Sequence, residues 1–515
     1  MKINQSWNTV CVRKPEGVQM ELLSPAGNVE KLSYAYAYGA DAAYIGLKKF
    51  SLRIKADNFY EDEYKKVAEL KTKYPGKRLH CALNISFHDD EIDALKQNLD
   101  YFKLYPIDTF IVKDIGIVPL LQKEFPNVQL HLSTQASCVN SEAVKMYQKL
   151  GFSRIVLGRE ISLDQIKRIK DSVPEMELET FCHGAMCIAY AGRCLMSAYL
   201  TGRSAQSGFC SHTCRWEYNV LADGKNPENH IITPEEAKQI AQSGTLLLEE
   251  HQRPGEYFPV FEGDDFTAVL SSKDLRMIEH LADFKTAGVD SIKIEGRMKS
   301  VYYVAMVTRA YRKALDAMEG KITAQEAQPF IDELENVSHR ESTTGFYYNK
   351  AEADQTTIGA SDSKYQLAAE IDREVTGDEF EGIYQLGQEK YIKFTDELDS
   401  MHPKAREARL KDLELHTDRK VIPFEKHDGW KMYSITALNM IKADENVEFI
   451  SPEFVSITAT PQEYYIINPE TGTKLNWVCD GHLCVVYTKY TLPPASLLRT
   501  LDPDYVEGKI RDTGR

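Results

Sequence analysis

Through the first 360 residues, short apolar runs rich in Val, Ile, Leu and Tyr alternate with stretches whose apolar positions recur every three or four residues. The runs are MELLSP, DAAYIG, LHCALNI, TFIVK, VQLHLS, RIVLG, ELETFC and SIKIEG. The helical pattern follows at Val29 to Tyr38, then near 61–74, 90–104, 116–124, 141–150, 162–170 and 300–318. A short apolar run between turn residues reads as a buried strand, and a 3.6-residue period reads as an amphipathic helix. Strands alternating with helices indicate parallel βαβ units. Eight strand candidates predict an α/β protein with a TIM-like (β/α)8 barrel over 19–362, preceded by an extension over 1–18. A large insertion, 182–290, separates the seventh and eighth strands. An open doubly wound sheet is the alternative topology.

After about residue 362 the alternation stops. YQLAAEID, GIYQLG, KYIKF, KMYSITAL, EYYIIN, KLNWVCD and LCVVYTKY read as strands between turns, with a charged helical stretch near 403–413. A separate β-rich domain over 363–515 is expected.

Composition narrows the class. Of 515 residues, 43% are hydrophobic and 27% charged, which is ordinary for a globular chain with more than one core. No run approaches the ~18 apolar residues of a membrane span. The start, MKINQSWNTVCVRKPEG, lacks the apolar core of a signal peptide. A cytoplasmic location is therefore expected, where thiols stay reduced. The net charge of −15 gives no global attraction to nucleic acid, so an RNA partner requires a local basic patch.

Chemistry concentrates in two places. In a barrel of this kind reactive groups sit at the C-terminal ends of strands. Those ends carry Asn84, Lys113, His131, Ser133, Gln135, Arg159, Glu160, Glu179, His183, Lys293, Glu295 and Arg297. Any one of these reads as a cap or a surface pair, but the set around one rim reads as a site. The second place is a cysteine cluster. Five of the ten cysteines, Cys182, Cys187, Cys194, Cys210 and Cys214, lie within HGAMCIAYAGRC, GFCSHTC and the strand before them. Clustered thiolates serve an iron–sulfur cluster, a structural zinc or disulfides. Spacing leans slightly to the cluster, because only Cys210 and Cys214 form a zinc-like knuckle. Cys182 ends an apolar run and reads as a packed thiol. Arg193, beside Cys194, would offset thiolate charge or bind an anion.

The segments LLSPAGN, DAAYIGL, HLSTQASCVN, LGREISLDQI, ETFCHGAMCIAYAGRCLMSAYL, GFCSHTCRWEYNV and AGVDSIKIEGRMKSVYYVAMVTRAYRKALD resemble, in order, the collagenase-like peptidase family U32, and its tRNA-modifying branch in particular. The resemblance covers roughly 20–350. It implies oxygen-independent hydroxylation of tRNA, ribosomal RNA or ubiquinone precursors rather than proteolysis. For the tRNA branch it implies 5-hydroxyuridine at the wobble position, in the anticodon loop, with prephenate as cosubstrate. It also implies a 4Fe-4S cluster on Cys187, Cys194, Cys210 and Cys214, and a heteromeric partner of the same family as one mode of working.

Set on the predicted rim, these implications give roles. Arg159, Arg193, Lys293 and Arg297, with Gln135 and Asn84, are candidates for binding the cosubstrate's carboxylates and the base. His131 and His183 are candidate acid–base groups, oriented by Glu160, Glu179 and Glu295. A peptidase is the competing enzyme class, yet the chain has no His-Glu-x-x-His and no Gly-x-Ser-x-Gly. A zinc-knotted scaffold that helps another enzyme hold RNA is the non-catalytic alternative.

Overall fold

The computed structural model describes residues 20–47, 62–187, 272–348, 363–416 and 420–503, with short stretches between them. Arg193, Cys210, Cys214 and most of the insertion lie outside the described residues. Two compact units divide the chain, Met1–Asp362 with Gly508–Arg515, and Ser363–Glu507.

In the first unit the strands are β1 (Glu21–Pro25), β2 (Ala42–Ile45), β3 (Arg78–Leu83), β4 (Thr109–Val112), β5 (Gln129–Leu132), β6 (Arg154–Val156), β7 (Glu177–Ala185), β8 (Asp274–Arg276) and β9 (Ser291–Ile294). β1 to β7 pair in sequence order, all parallel, and β9 closes the ring by pairing parallel to both β7 and β1. The eight-stranded TIM-like barrel expected from the alternation is present. β8, which the pattern does not announce, runs antiparallel along the far end of β7.

The helices are α1 (Val29–Ala37), α2 (Glu63–Lys73), α3 (Asp89–Gln97), α4 (Leu99–Lys103), α5 (Val118–Glu124), α6 (Ser141–Lys149), α7 (Leu163–Ser172), α8 (Leu281–Thr286) and α9 (Val301–Met318), and all but α8 fall where the periodicity places them. The single helix expected over 90–104 is two. Asn98 donates its side-chain amide to the Ala94 carbonyl at 2.7 Å and interrupts the ladder there. Caps fix the starts. Ser162 opens α7 with a capping box to Gln165, and Ser300 accepts from the Tyr303 amide to open α9. α9 is buried along Val301–Tyr311 and is tied to β1 by Ser24 Oγ to Thr308 Oγ1, 2.7 Å.

The strand registers sort the inward side chains into layers, each drawn from alternate strands. From the N-terminal end upward these are Glu21, Arg78, Gln129 and Glu177, then Ala42, Thr109, Arg154 and Ser291. The central layer is Leu23, His80, His131 and Glu179. Above it lie Tyr44, Ile111, Val156 and Lys293, then Pro25, Ala82, Ser133 and Phe181 beneath the mouth. Branched aliphatic residues usually fill such layers. Here charges and imidazoles hold nearly half the positions.

The second unit is an antiparallel sheet of eight strands: β10 (Tyr365–Val375), β11 (Lys431–Ala437), β12 (Val447–Ile450), β13 (Ile457–Ala459), β14 (Tyr464–Asn468), β15 (Thr473–Lys474), β16 (Leu483–Thr488) and β17 (Leu497–Leu501). Their spatial order is β13-β12-β17-β10-β11-β16-β14-β15. GIYQLG and KYIKF, expected as strands, are instead part of a 24-residue helix, α10 (Gly377–Ser400). The reason lies in spacing. Phe380, Ile383, Tyr384 and Gly387 share one helical face, which packs on Phe424, Val485 and Tyr487. Gly387 lets that face touch a turn, since a Cβ there would lie 2.2 Å from the Gly472 carbonyl oxygen.

Candidate active site

Loops after the barrel strands build the mouth. Arg159, after β6, donates to the Ala185 carbonyl at 2.7 Å, and its guanidinium lies 3.9 Å from the Phe181 ring centroid. Its other amino group reaches Glu295, after β9, at 3.5 Å. Both side chains remain partly exposed. Lys113, after β4, donates to Ser86 at 2.7 Å. Gln135 and Glu160, on neighbouring loops, each bury a side-chain oxygen that has no hydrogen-bond partner among the described residues. Burial also pushes the Glu160 carboxyl up. Arg297 is buried, Asn84 half-buried, and both are engaged by neighbouring groups.

Two glycines let β7 and β9 close on each other here. Gly184 has φ +102°, and a Cβ on it would meet the Glu295 carbonyl oxygen at 2.5 Å. Gly296 has φ +153° and would press a Cβ against the Tyr303 ring at 2.5 Å. These explain the glycines of HGA and EGR in the two motifs.

Below the mouth runs a column of paired charges. Lys293 donates to Glu179 at 3.1 Å, and its ammonium sits 4.4 Å from the Tyr44 ring centroid. Arg154 donates to Glu179 at 3.0 Å, to Glu177 at 2.8 Å, and also to Glu21. Ser291 donates to Glu21 at 3.0 Å, and Arg78 pairs with Glu21 from the side. Burial alone would raise the Glu179 carboxyl, but the Lys293 and Arg154 charges outweigh it and hold the group ionised. The His80 and His131 rings meet edge to face at 5.1 Å, fully buried. Burial, then the Arg154 charge, pushes both imidazoles well below their usual range, so both are neutral.

The structure thus brings His131, Glu179 and Lys293 together inside the barrel, and Arg159 with Glu295 at the mouth. It sets His183 elsewhere. The β7–β9 register slips at Cys182, so Phe181 pairs with Lys293 and His183 with Ile294. The His183 ring then packs on Tyr311 at 5.4 Å and Tyr303 at 6.1 Å, under α9. Burial pushes its pKa down to about 3. Cys182 is buried, with its thiol donating to the Lys293 carbonyl at 3.4 Å. Sequence reasoning did not single out Glu21, His80 or Arg154. The signal was available, because each stands on the inward parity of its strand, where an aliphatic residue is the norm.

The described thiols fall into two sets. Burial pushes Cys81 up to about 12 and Cys138 up to about 11, so these stay protonated. Cys187 is exposed and Cys194 half-buried, just beyond β7, and both are free. Accessible thiols beside the mouth have the donor chemistry of a soft-metal or cluster site, and the buried ones do not.

Comparison with known proteins follows the same lines. The chain is 34% identical over 432 residues to "tRNA hydroxylation protein P" of Escherichia coli (strain K12), covering 80% of this chain and 93% of that protein. It is 34% identical over 355 residues to "23S rRNA 5-hydroxycytidine C2501 synthase" of the same strain, covering 67% of this chain and 47% of that protein. It is 28% identical over 339 residues to "Collagenase" of Porphyromonas gingivalis (strain ATCC BAA-308 / W83), covering 64% of this chain and 73% of that protein. Residues 27–357, which hold every barrel strand but the first, match peptidase family U32, and the chain belongs to that family.

Proposed function

We propose that this protein is an RNA-modifying hydroxylase, and specifically that it converts the wobble uridine of tRNA to 5-hydroxyuridine. The observation that carries this reading is the match to a tRNA hydroxylation protein across 93% of that relative's length. The mouth supports it chemically. Arg159 stands at the opening, and the buried Arg297 and Lys293 add positive charge behind it, which suits a dicarboxylate cosubstrate of the prephenate kind. Arg193 belongs with them by sequence. Asn84, Gln135 and Glu160 supply hydrogen-bonding groups for a base edge. An anticodon-loop base is already unpaired, so it can be splayed into a barrel mouth without breaking a duplex.

Replacing C5–H by C5–OH is a two-electron oxidation of the base, so without molecular oxygen the oxygen atom would come from water or the cosubstrate and the electrons would leave to an external acceptor; the group implied for this chemistry is a 4Fe-4S cluster. Cys187, Cys194, Cys210 and Cys214 would hold it, and it would supply electron transfer or Lewis acidity beside the mouth. Glu160, with its carboxyl pushed up by burial, is the candidate proton carrier at the mouth. Glu295 contacts the Arg159 guanidinium at 3.5 Å. The Cys182–His183 pair that a peptidase reading would use does not form: Cys182 turns to the Lys293 carbonyl and His183 to Tyr311.

The test is mass spectrometry of tRNA nucleosides from a host without its own wobble-uridine hydroxylation, with and without this gene. 5-Hydroxyuridine is expected with the gene and should vanish in Cys194→Ala. Its absence beside new hydroxycytidine in ribosomal RNA would move the substrate to that RNA. Restoration only on adding a second family member would make the working unit heteromeric.

A further inference from the structure

We infer that the central layer of the barrel is a binding site for one divalent transition-metal ion, held by His80, His131 and Glu179 and separate from the cysteines. One potential ligand atom from each of the three lies within 4.8 Å of the others, and all three residues have no solvent exposure. The fourth member of the layer, Leu23, is equally buried and offers a wall without a donor.

The decisive feature is the state of the imidazoles. Neither nitrogen of His80 and neither nitrogen of His131 has a hydrogen-bond partner among the described residues. A polar group buried without a partner is costly, and such groups are rare in native proteins. Two imidazoles facing each other at one level of a barrel double that cost, where Ile or Leu would remove it. The arrangement makes sense if something between the rings accepts their lone pairs. Two neutral imidazoles and a carboxylate form a donor set suited to zinc or ferrous iron.

The surroundings hold the ligands and set the charge. Arg154 donates to one Glu179 oxygen and Lys293 to the other, which orients the carboxylate as outer partners of metal ligands do. Arg154 faces the site from the layer below and Lys293 from the layer above. Their charges, with that of Arg78, are matched by Glu21, Glu177 and Glu179. The ion would therefore enter a shell whose own charges cancel, with two neutral rings to bind it.

The experiment starts from the full-length Cys187→Ser/Cys194→Ser/Cys210→Ser/Cys214→Ser variant, so that metal on these cysteines does not enter the count. It is loaded with Co2+ and dialysed. One equivalent of Co2+ per chain, with visible ligand-field absorption, is expected. His131→Asn in the same background should weaken binding by about tenfold or more. Because a core variant can fail to fold, the second arm uses the unsubstituted chain. Crystals grown with Co2+ should show an anomalous peak between His80, His131 and Glu179. A water molecule there with no anomalous signal overturns the proposal, as does stoichiometric Co2+ located only at the cysteines.

Discussion

The mouth of the barrel and its interior use the same residue types for different ends. At the mouth, Arg159 makes one direct carbonyl bond, one long contact to Glu295 and one ring contact, and stays partly open to solvent. In the interior, Arg154 is fully buried and donates to three carboxylates. A charge held loosely at an opening is available to a ligand. A charge spent entirely on neighbours is part of the scaffold, and its removal strands the partners. The difference teaches that charge alone does not mark a reactive group in this family's barrel; partner count and exposure do.

The sharpest way to break this contrast is Arg154→Met. It leaves Glu21, Glu177 and Glu179 without their shared partner, and breaking such a buried pair costs on the order of 3–5 kcal/mol. Urea unfolding should show that loss or no folded protein at all. Arg154→Met combined with Glu179→Leu should regain part of it, because the second change removes one stranded carboxylate. A single variant as stable as the parent would mean that water, not Arg154, satisfies the column.

A smaller effect separates His183 from the acid–base candidates. Its folded pKa of about 3 lies below the unfolded value near 6.5, so the unfolded chain binds the extra proton. The stability this neutral ring allows is therefore complete above about pH 6.5 and is lost as pH falls towards 3. Between pH 7 and pH 5 the loss amounts to about 2 kcal/mol from this group. The difference between parent and His183→Gln should show it in denaturant titrations at the two pH values. An unchanged slope in His183→Gln would place the ring in solvent and return it to the candidate acids.

Much of the barrel was legible because its signal is local. Each predicted strand run and helix period states its own identity, while the break at Asn98, β8, α8 and the helix over Ala324–Asp332 escaped. α10 was misread because Ile383, Tyr384, Tyr391 and Ile392 suit a strand by composition, and the helical spacing that decides the matter needs the partner face on Phe424 and Tyr487. The site was half legible. The mouth residues follow strand ends, which a pattern can locate. Placing His183 required the slip at Cys182, a property of pairing rather than of sequence period. Glu21, His80 and Arg154 went unremarked because their meaning is relational. Each is one polar residue on its own strand, and only the closed ring sets them in adjoining layers.

The gentlest test is the one that isolates the mouth. Arg159→Ala removes a contact to Glu295 at 3.5 Å between partly exposed groups and one carbonyl bond, so stability should change by no more than about 1 kcal/mol. Modification of tRNA should nonetheless fall by about tenfold or more, because a guanidinium that binds a carboxylate in two places has no substitute there. Arg159→Lys separates charge from shape. An ammonium keeps the charge but not the planar fork or the stacking on Phe181, so this variant should recover only part of the activity. Unfolding curves and nucleoside mass spectrometry on the same preparations provide both readings. If Arg159→Ala unfolds the protein as Arg154→Met does, mouth and interior form one structural unit and the distinction between them fails. If it leaves both stability and modification untouched, the carboxylate site lies deeper, at Lys293.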